Sequence, residues 1–213
     1  MTSAREDILG RVRQAIGAKP PSLEDDYAQI PRNYVETEPW DPNKRLELFE
    51  DRLVDYDCIV HRCWSYDVSA AIAHALESRG KQSLLVPSGI PLDWLPNGFD
   101  FFADKDLSYE QINSYDGVLT GCALAIASTG TIVLRHTQAE GRRALTLIPD
   151  YHLCVVHASQ IVDTVVDGIR RMAQFGSLPI TTISGPSATA DIEMTRVKGV
   201  HGPRTLEVII ALD

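Results

Sequence analysis

An α/β domain with a mixed, mostly parallel sheet flanked by helices is the fold this chain predicts, preceded by an N-terminal helix and an extended arm. Three observations carry that reading. From residue 43 onward, short apolar runs alternate with helical stretches, the pattern of a sheet covered on both faces. The 213 residues, 44% hydrophobic and 23% charged, suit one such domain with an appendage. A proline-rich acidic stretch, residues 18–42, separates that domain (43–213) from the N-terminal helix.

The elements follow in order. Residues 3–16 predict an amphipathic helix: Ser3 and Glu6 fit a capping box, Gly17 fits the position after the last turn, and Ile8, Leu9, Val12, Ala15 and Ile16 form one apolar stripe. In the arm, Pro20, Pro21, Pro31, Pro39 and Pro42 each fix φ and remove a donor, so it is expected to run extended. A helix through Leu46, Phe49 and Leu53 leads to a run at Cys58–Val60. A second, from about Asp67 to Arg79, stops at Gly80 before a strand at Ser83–Val86. Short helical turns near 91–95 and 108–114 precede runs at Phe99–Phe102 and Gly117–Leu119. Ala123–Ala127 and Thr131–Leu134, around Ser-Thr-Gly, read as a β-hairpin whose Gly130 supplies a positive φ. A strand at His152–Val156, a helix at about 164–175, a strand at Ile180–Ser184, a loop-rich stretch 185–204 and a last strand at Leu206–Leu212 complete the chain.

The formal net charge of −9 argues against a nucleic-acid partner, because phosphate neutralisation needs a basic stripe. No apolar run approaches the ~20 residues of a membrane span. The N-terminus shows no signal-peptide pattern, so a cytoplasmic location is expected, with the four cysteines reduced. Walker A, G-x-G-x-x-G, G-x-S-x-G and H-E-x-x-H patterns are absent from the sequence, as is the closely spaced cysteine set of an iron–sulfur site.

The candidate chemistry lies late in the chain. Gly185, Ser187, Thr189 and Asp191 belong to a small-residue loop leaving a strand. Small residues let a ligand approach the backbone, consecutive amides bind anions, and such loops sit beyond the carboxyl ends of parallel strands. The competing reading is a turn that caps a following helix. His201, Gly202 and Arg204 form a second polar turn, in which His201 is either a proton-handling group or solvated. Arg142 and Arg143, with Arg135, His136, Arg196 and Lys198, bias this half of the chain positive. Arginine pairs hold carboxylate or phosphate in bidentate fashion, whereas a solvated face with ion pairs to Glu140 and Asp150 is the alternative. Thr129 and Gly130 add small polar groups at a strand end, where Gly130 also serves the turn. Two Cys/His groups, Cys58, His61, Cys63 and His152, Cys154, His157, would suit zinc only on adjacent strands, and their spacing matches no C-x₂-C pair; no metal site is expected.

Two strings, TGCALAIASTGTIVL (120–134) and ISGPSATADIEMTRVKGVHGPRTLEVII (183–210), with GRRALTLIPDYHLCVV (141–156) between them, resemble the lactate utilization protein C family, whose core is the LUD domain. The resemblance covers most of residues 43–213. It implies a fold of the NagB/RpiA/CoA-transferase group and a role in oxidising L-lactate to pyruvate. It also implies partner subunits that carry the iron–sulfur clusters, this chain being the cluster-free member with no evident cofactor of its own. The expectation is an accessory or substrate-binding subunit of an iron–sulfur L-lactate dehydrogenase complex. Its small anionic metabolite would be held by the 185–191 loop, His201 and the two arginines. Two alternatives stay open: an independent enzyme of that fold group acting on a phosphorylated or CoA-linked metabolite, and an organic-acid sensor.

Overall fold

The computed structural model describes residues 4–17, 27, 29–31, 40–190, 196–199 and 201–213. The chain divides into two units, Met1–Glu38 and Pro39–Asp213. The first contains α1 (Ala4–Ile16), closed by Gly17 in the left-handed region at φ +76. Ser3, the expected cap, lies outside the described residues, as does most of the arm. Pro42 is not part of that arm. It opens α2 (Pro42–Asp55), where a missing N–H costs nothing, and Asp41 caps the helix by accepting from the Asn43 and Lys44 amides.

The second unit continues with β1 (Ile59–Trp64), α3 (Val68–Arg79), β2 (Ser83–Val86), β3 (Asp100–Ala103), α4 (Tyr109–Asn113) and β4 (Gly117–Thr120). A hairpin of β5 (Leu124–Ile126) and β6 (Thr131–Leu134) follows, then β7 (Tyr151–His157), β8 (Ile161–Val162), α5 (Val165–Met172) and β9 (Thr181–Ile183). The chain closes with β10 (Ala188–Ala190), β11 (Arg196–Lys198) and β12 (Thr205–Leu212). α3 ends at Gly80 with φ +59, and the hairpin turns through Gly130 with φ +60, as their sequence positions require. β8 and the β10–β11 hairpin were not expected. The second replaces part of the 185–204 loop, and there the capping-helix alternative gives way to an antiparallel pair.

Among the described residues the strands form three sheets. The central one has the order β1-β12-β7-β4-β2-β3, with every pairing parallel. A smaller mixed sheet has the order β8-β5-β6-β9. In β7 and β12, successive side chains point to opposite faces and both faces are buried. Leu153, Val155 and Ile209 pack under α3, against Ile72 and Leu76. Cys154, Val156, Val208 and Ile210 pack with Phe49 and Leu53 of α2 and with Ile132 and Leu134 of the small sheet. Double burial is why these strands read as continuous apolar runs. From β2 the chain leaves towards β3, and from β4 it leaves towards β7. The crevice between β2 and β4 is therefore the topological switch point of the central sheet.

Candidate functional site

The 185–187 turn and the 201–203 turn meet. The Ser187 amide donates to the Pro203 carbonyl at 2.8 Å, the Gly199 amide donates to the Ser187 carbonyl at 2.9 Å, and the His201 amide donates to Ser187 Oγ at 2.8 Å. Ser187 thus ties two turns together with its amide, carbonyl and hydroxyl. Gly185 is required there: φ is +85 and a Cβ would stand 2.5 Å from that of Tyr56. The joined turns form one wall of a cleft of about 260 Å³.

The opposite wall comes from the central sheet and the turn before β7. Leu85, Val118, His152 and Leu206 stand in one row across the sheet, and His152 and Leu206 of that row line the cleft. Thr146 and Arg143 close the side. The cleft therefore lies at the amino ends of β7 and β12, not beyond carboxyl ends as the loop's position after a strand suggested. The reason is topological: β9, which feeds the loop, belongs to the small sheet.

Arg143 is the notable charge. Its Nη1 donates to Thr146 Oγ1 at 3.1 Å, and among the described residues it forms no ion pair. Burial lowers its pKa from the ordinary value, but a guanidinium stays protonated at neutral pH. His152, 1% exposed, shares a 2.8 Å hydrogen bond with Thr120 Oγ1. Burial first, and the Arg143 charge second, bring its pKa down to about 4. Among the described residues, the cleft at neutral pH thus presents one cation, a neutral imidazole in its floor, and the hydroxyls of Thr146, Ser184 and Ser187. The His201 side chain is exposed at the mouth. An arrangement of this kind suits a small carboxylate or phosphate.

The other predicted residues are scattered. Arg142 turns away from its neighbour: Nε and Nη2 donate to the two Asp104 oxygens at 2.6 and 2.9 Å, and Nη2 also reaches the Leu107 carbonyl at 2.6 Å. That pairing holds the Asp104 carboxyl below its ordinary range. Arg204 donates to Asp150 at 2.6 Å on the exposed surface. Gly202 lines the first cleft. Thr129 and Gly130 do not. Gly130 packs on α2, where a Cβ would stand 2.8 Å from that of Arg52. Thr129 reaches the cleft only indirectly, through Thr131 (2.7 Å) and then Ser184 (2.8 Å). Thr189 sits on β10 opposite Val197, and Asp191 lies outside the described residues. Sequence reasoning weighed His152 only as a metal ligand. Its better signal was a histidine inside an apolar strand a few residues after an arginine pair.

The first Cys/His group spans the start of β1, with Cys58 just before it, and the second lies on β7; β12 separates the two strands. His61 instead donates to Glu207 Oε1 at 2.6 Å, and Arg79 and Tyr151 donate to Oε2 at 3.0 and 3.1 Å. Among the described residues no group of three His, Cys, Asp or Glu side chains is arranged to hold a metal ion. No described helix is long and apolar enough to cross a membrane.

A second, larger cleft of about 860 Å³ opens on the other side of Arg143. Pro87 and Ser88 after β2, Asp104 after β3, and the loop from His136 to Arg143 form one part of it; Leu178–Thr181 form the rest.

Residues 44–211 match the LUD domain family. The chain belongs to that family. The lactate utilization protein C of Deinococcus radiodurans is 42% identical over 211 residues, 97% of this chain and 95% of that protein. The lactate utilization protein C of Halalkalibacterium halodurans is 27% identical over 217 residues, 92% of this chain and 89% of that one. A crystal structure of a DUF162 family protein from Deinococcus radiodurans superposes with a TM-score of 0.72 at 42% identity, covering 81% of this chain and 99% of that chain. The LUD domain begins in α2 and takes in all three sheets and both clefts. The N-terminal helix falls before it.

Proposed function

We propose that this LUD protein takes part in lactate utilization as the cluster-free, substrate-binding subunit of an L-lactate-oxidising system, holding the substrate carboxylate on Arg143. The observation that carries this reading is an exposed guanidinium that meets no acid among the described residues and lines a small cleft together with Thr146, Ser184 and Ser187. The name of its relatives, lactate utilization protein C, supplies the substrate class. A bidentate contact from the free side of Arg143 would orient a three-carbon acid, and Ser187 would meet its 2-hydroxyl or 2-oxo group.

Lactate becomes pyruvate by losing two electrons and two protons. His201, at the cleft mouth, is placed to exchange a proton with solvent. The electrons are assigned to an iron–sulfur partner. Cys58, Cys122 and Cys154 are buried in one apolar cluster, where burial pushes the Cys154 thiol up to about 12 and holds the Cys122 thiol well above its ordinary value, so these two are not ready thiolates. Cluster ligation needs adjacent thiolates.

Isothermal titration of the pure chain with L-lactate, pyruvate and orthophosphate tests the binding. One small carboxylate should bind, with at least a tenfold loss in Arg143→Ala and a smaller loss in Ser187→Ala. No binding of any of the three, or equal binding in Arg143→Ala, overturns the reading. Co-purification with cluster-bearing subunits tests the partnership, and lactate oxidation by the isolated chain would select an independent enzyme instead.

A further inference from the structure

The second cleft lies where an open parallel sheet most readily takes a ligand. Pro87 and Ser88 follow β2 at the switch point, and the 136–141 loop covers the end of β4, with the Gly121 amide donating to the Ala139 carbonyl at 3.3 Å. The cleft is built with close tolerances. The Gly89 amide donates to the Gln138 carbonyl at 2.8 Å, and a Cβ at Gly89 would stand 2.8 Å from that backbone. His136 holds a left-handed backbone at φ 58, a conformation uncommon outside glycine that concentrates at ligand sites. Its ring is fixed at both nitrogens: Nδ1 donates to the Gly141 carbonyl at 3.0 Å, and Nε2 pairs with the Thr181 hydroxyl at 2.7 Å.

The lining chemistry selects a ligand class. Pro87, Leu145, Leu178 and Ile180 supply an apolar body site, and Leu178 and Ile180 remain 43% and 39% exposed. Asp104 and Arg142 neutralise each other within the wall. Among the described residues, the one cation in the lining without an acid is Arg143, which also lines the first cleft. The volume of about 860 Å³ is within the range for cofactor-sized molecules and far above the need of a three-carbon acid.

We infer that the second cleft binds an amphipathic organic anion, its apolar body against Leu145, Leu178 and Ile180 and its acidic group on Arg143, in exclusion of the small acid in the first cleft. The exclusion follows from charge: one guanidinium, already engaged with Thr146 through Nη1, cannot neutralise two anions. By linkage each ligand weakens the other by the same factor. The exclusion rests on the carboxylate reading of the first cleft; occupancy of the second does not.

Methyl NMR of the full chain, titrated with 2-naphthylacetate and with pyruvate, tests this. Naphthylacetate should shift the methyls of Leu145, Leu178 and Ile180 and leave Leu206 in place, whereas pyruvate should shift Leu206 and Ile183. Arg143→Ala and Ile180→Asp should each weaken naphthylacetate at least tenfold, and saturating pyruvate should do the same in the wild type. Ile180→Asp should leave pyruvate affinity unchanged, which also shows that the variant is folded. Failure of naphthylacetate to move the second-cleft methyls, or simultaneous binding with unchanged affinities, overturns the inference. If pyruvate does not bind, the carboxylate reading falls by itself. The second cleft is then decided by the naphthylacetate shifts and their loss in the two variants.

Discussion

On the helix side of the central sheet, Glu207 is met by three donors, His61, Arg79 and Tyr151, all within 3.1 Å. On the opposite side, the row that holds His152 and Leu206 faces Arg143, which meets no acid among the described residues. Both regions place charged or titratable groups against a β-sheet interior, yet their remaining capacity differs. The Glu207 oxygens are satisfied by protein, and Tyr151 remains a donor because burial, followed by the Glu207 charge, pushes its phenol above the usual range. That cluster is architecture. The Arg143 side keeps unspent hydrogen-bonding capacity facing open space, and unspent capacity is what a ligand uses. The same contrast separates adjacent residues: Arg142 is consumed by Asp104 and Leu107, and Arg143 is not.

Removing Glu207 should break the comparison most severely. Glu207→Ala leaves the buried Tyr151 hydroxyl and a partly buried Arg79 without their acceptor and should cost about 3–5 kcal/mol in urea unfolding. Next comes His152, which acts through pH. Its folded value of about 4 lies below the unfolded value of ~6.5, so the unfolded chain binds the extra proton between the two. Stability should therefore be full above pH ~6.5 and fall by about 3 kcal/mol as pH drops to 4, and His152→Gln should flatten that slope in acid unfolding curves. A steeper acid slope in His152→Gln would contradict the neutral imidazole. Asp104→Asn removes the charge that occupies Arg142. Because that guanidinium is 37% exposed, the loss should be limited to about 1 kcal/mol of thermal stability. The smallest change in stability belongs to Arg143→Ala, within about 0.5 kcal/mol of wild type, while its anion affinity falls at least tenfold. A large loss of stability in Arg143→Ala would move it to the structural side of the comparison.

Much of the fold is legible in the sequence because local rules and burial agree there. Gly80 and Gly130 end a helix and turn a hairpin at the positions their backbone angles demand. The run at Ser83–Val86 is a strand with those same ends. The two-residue β8 and the β10–β11 hairpin are not legible, since strands of two or three residues are too short to show a periodic pattern. The candidate site is legible in part. Gly185, Ser187, His201, Gly202 and Arg143 do line one cleft. The different fates of Arg142 and Arg143 depend on Asp104, 38 positions away, and no local pattern encodes that partnership. The cleft's place at amino ends likewise follows from β9 joining the small sheet, a tertiary choice.

The placement of β12 also has a consequence for biosynthesis. It is inserted between β1 and β7, pairing with Ile59–Trp64 on one side and Tyr151–His157 on the other. During translation, β1 therefore has no neighbour to zip onto until residues 205–212 have cleared the ribosome. The nascent molecule must carry an open slot through its middle, a state that chaperones recognise and that aggregation exploits. Ribosome-stalled chains ending at residue 204 should remain protease-sensitive at β1, and addition of residues 205–212 should close the sheet in one cooperative step.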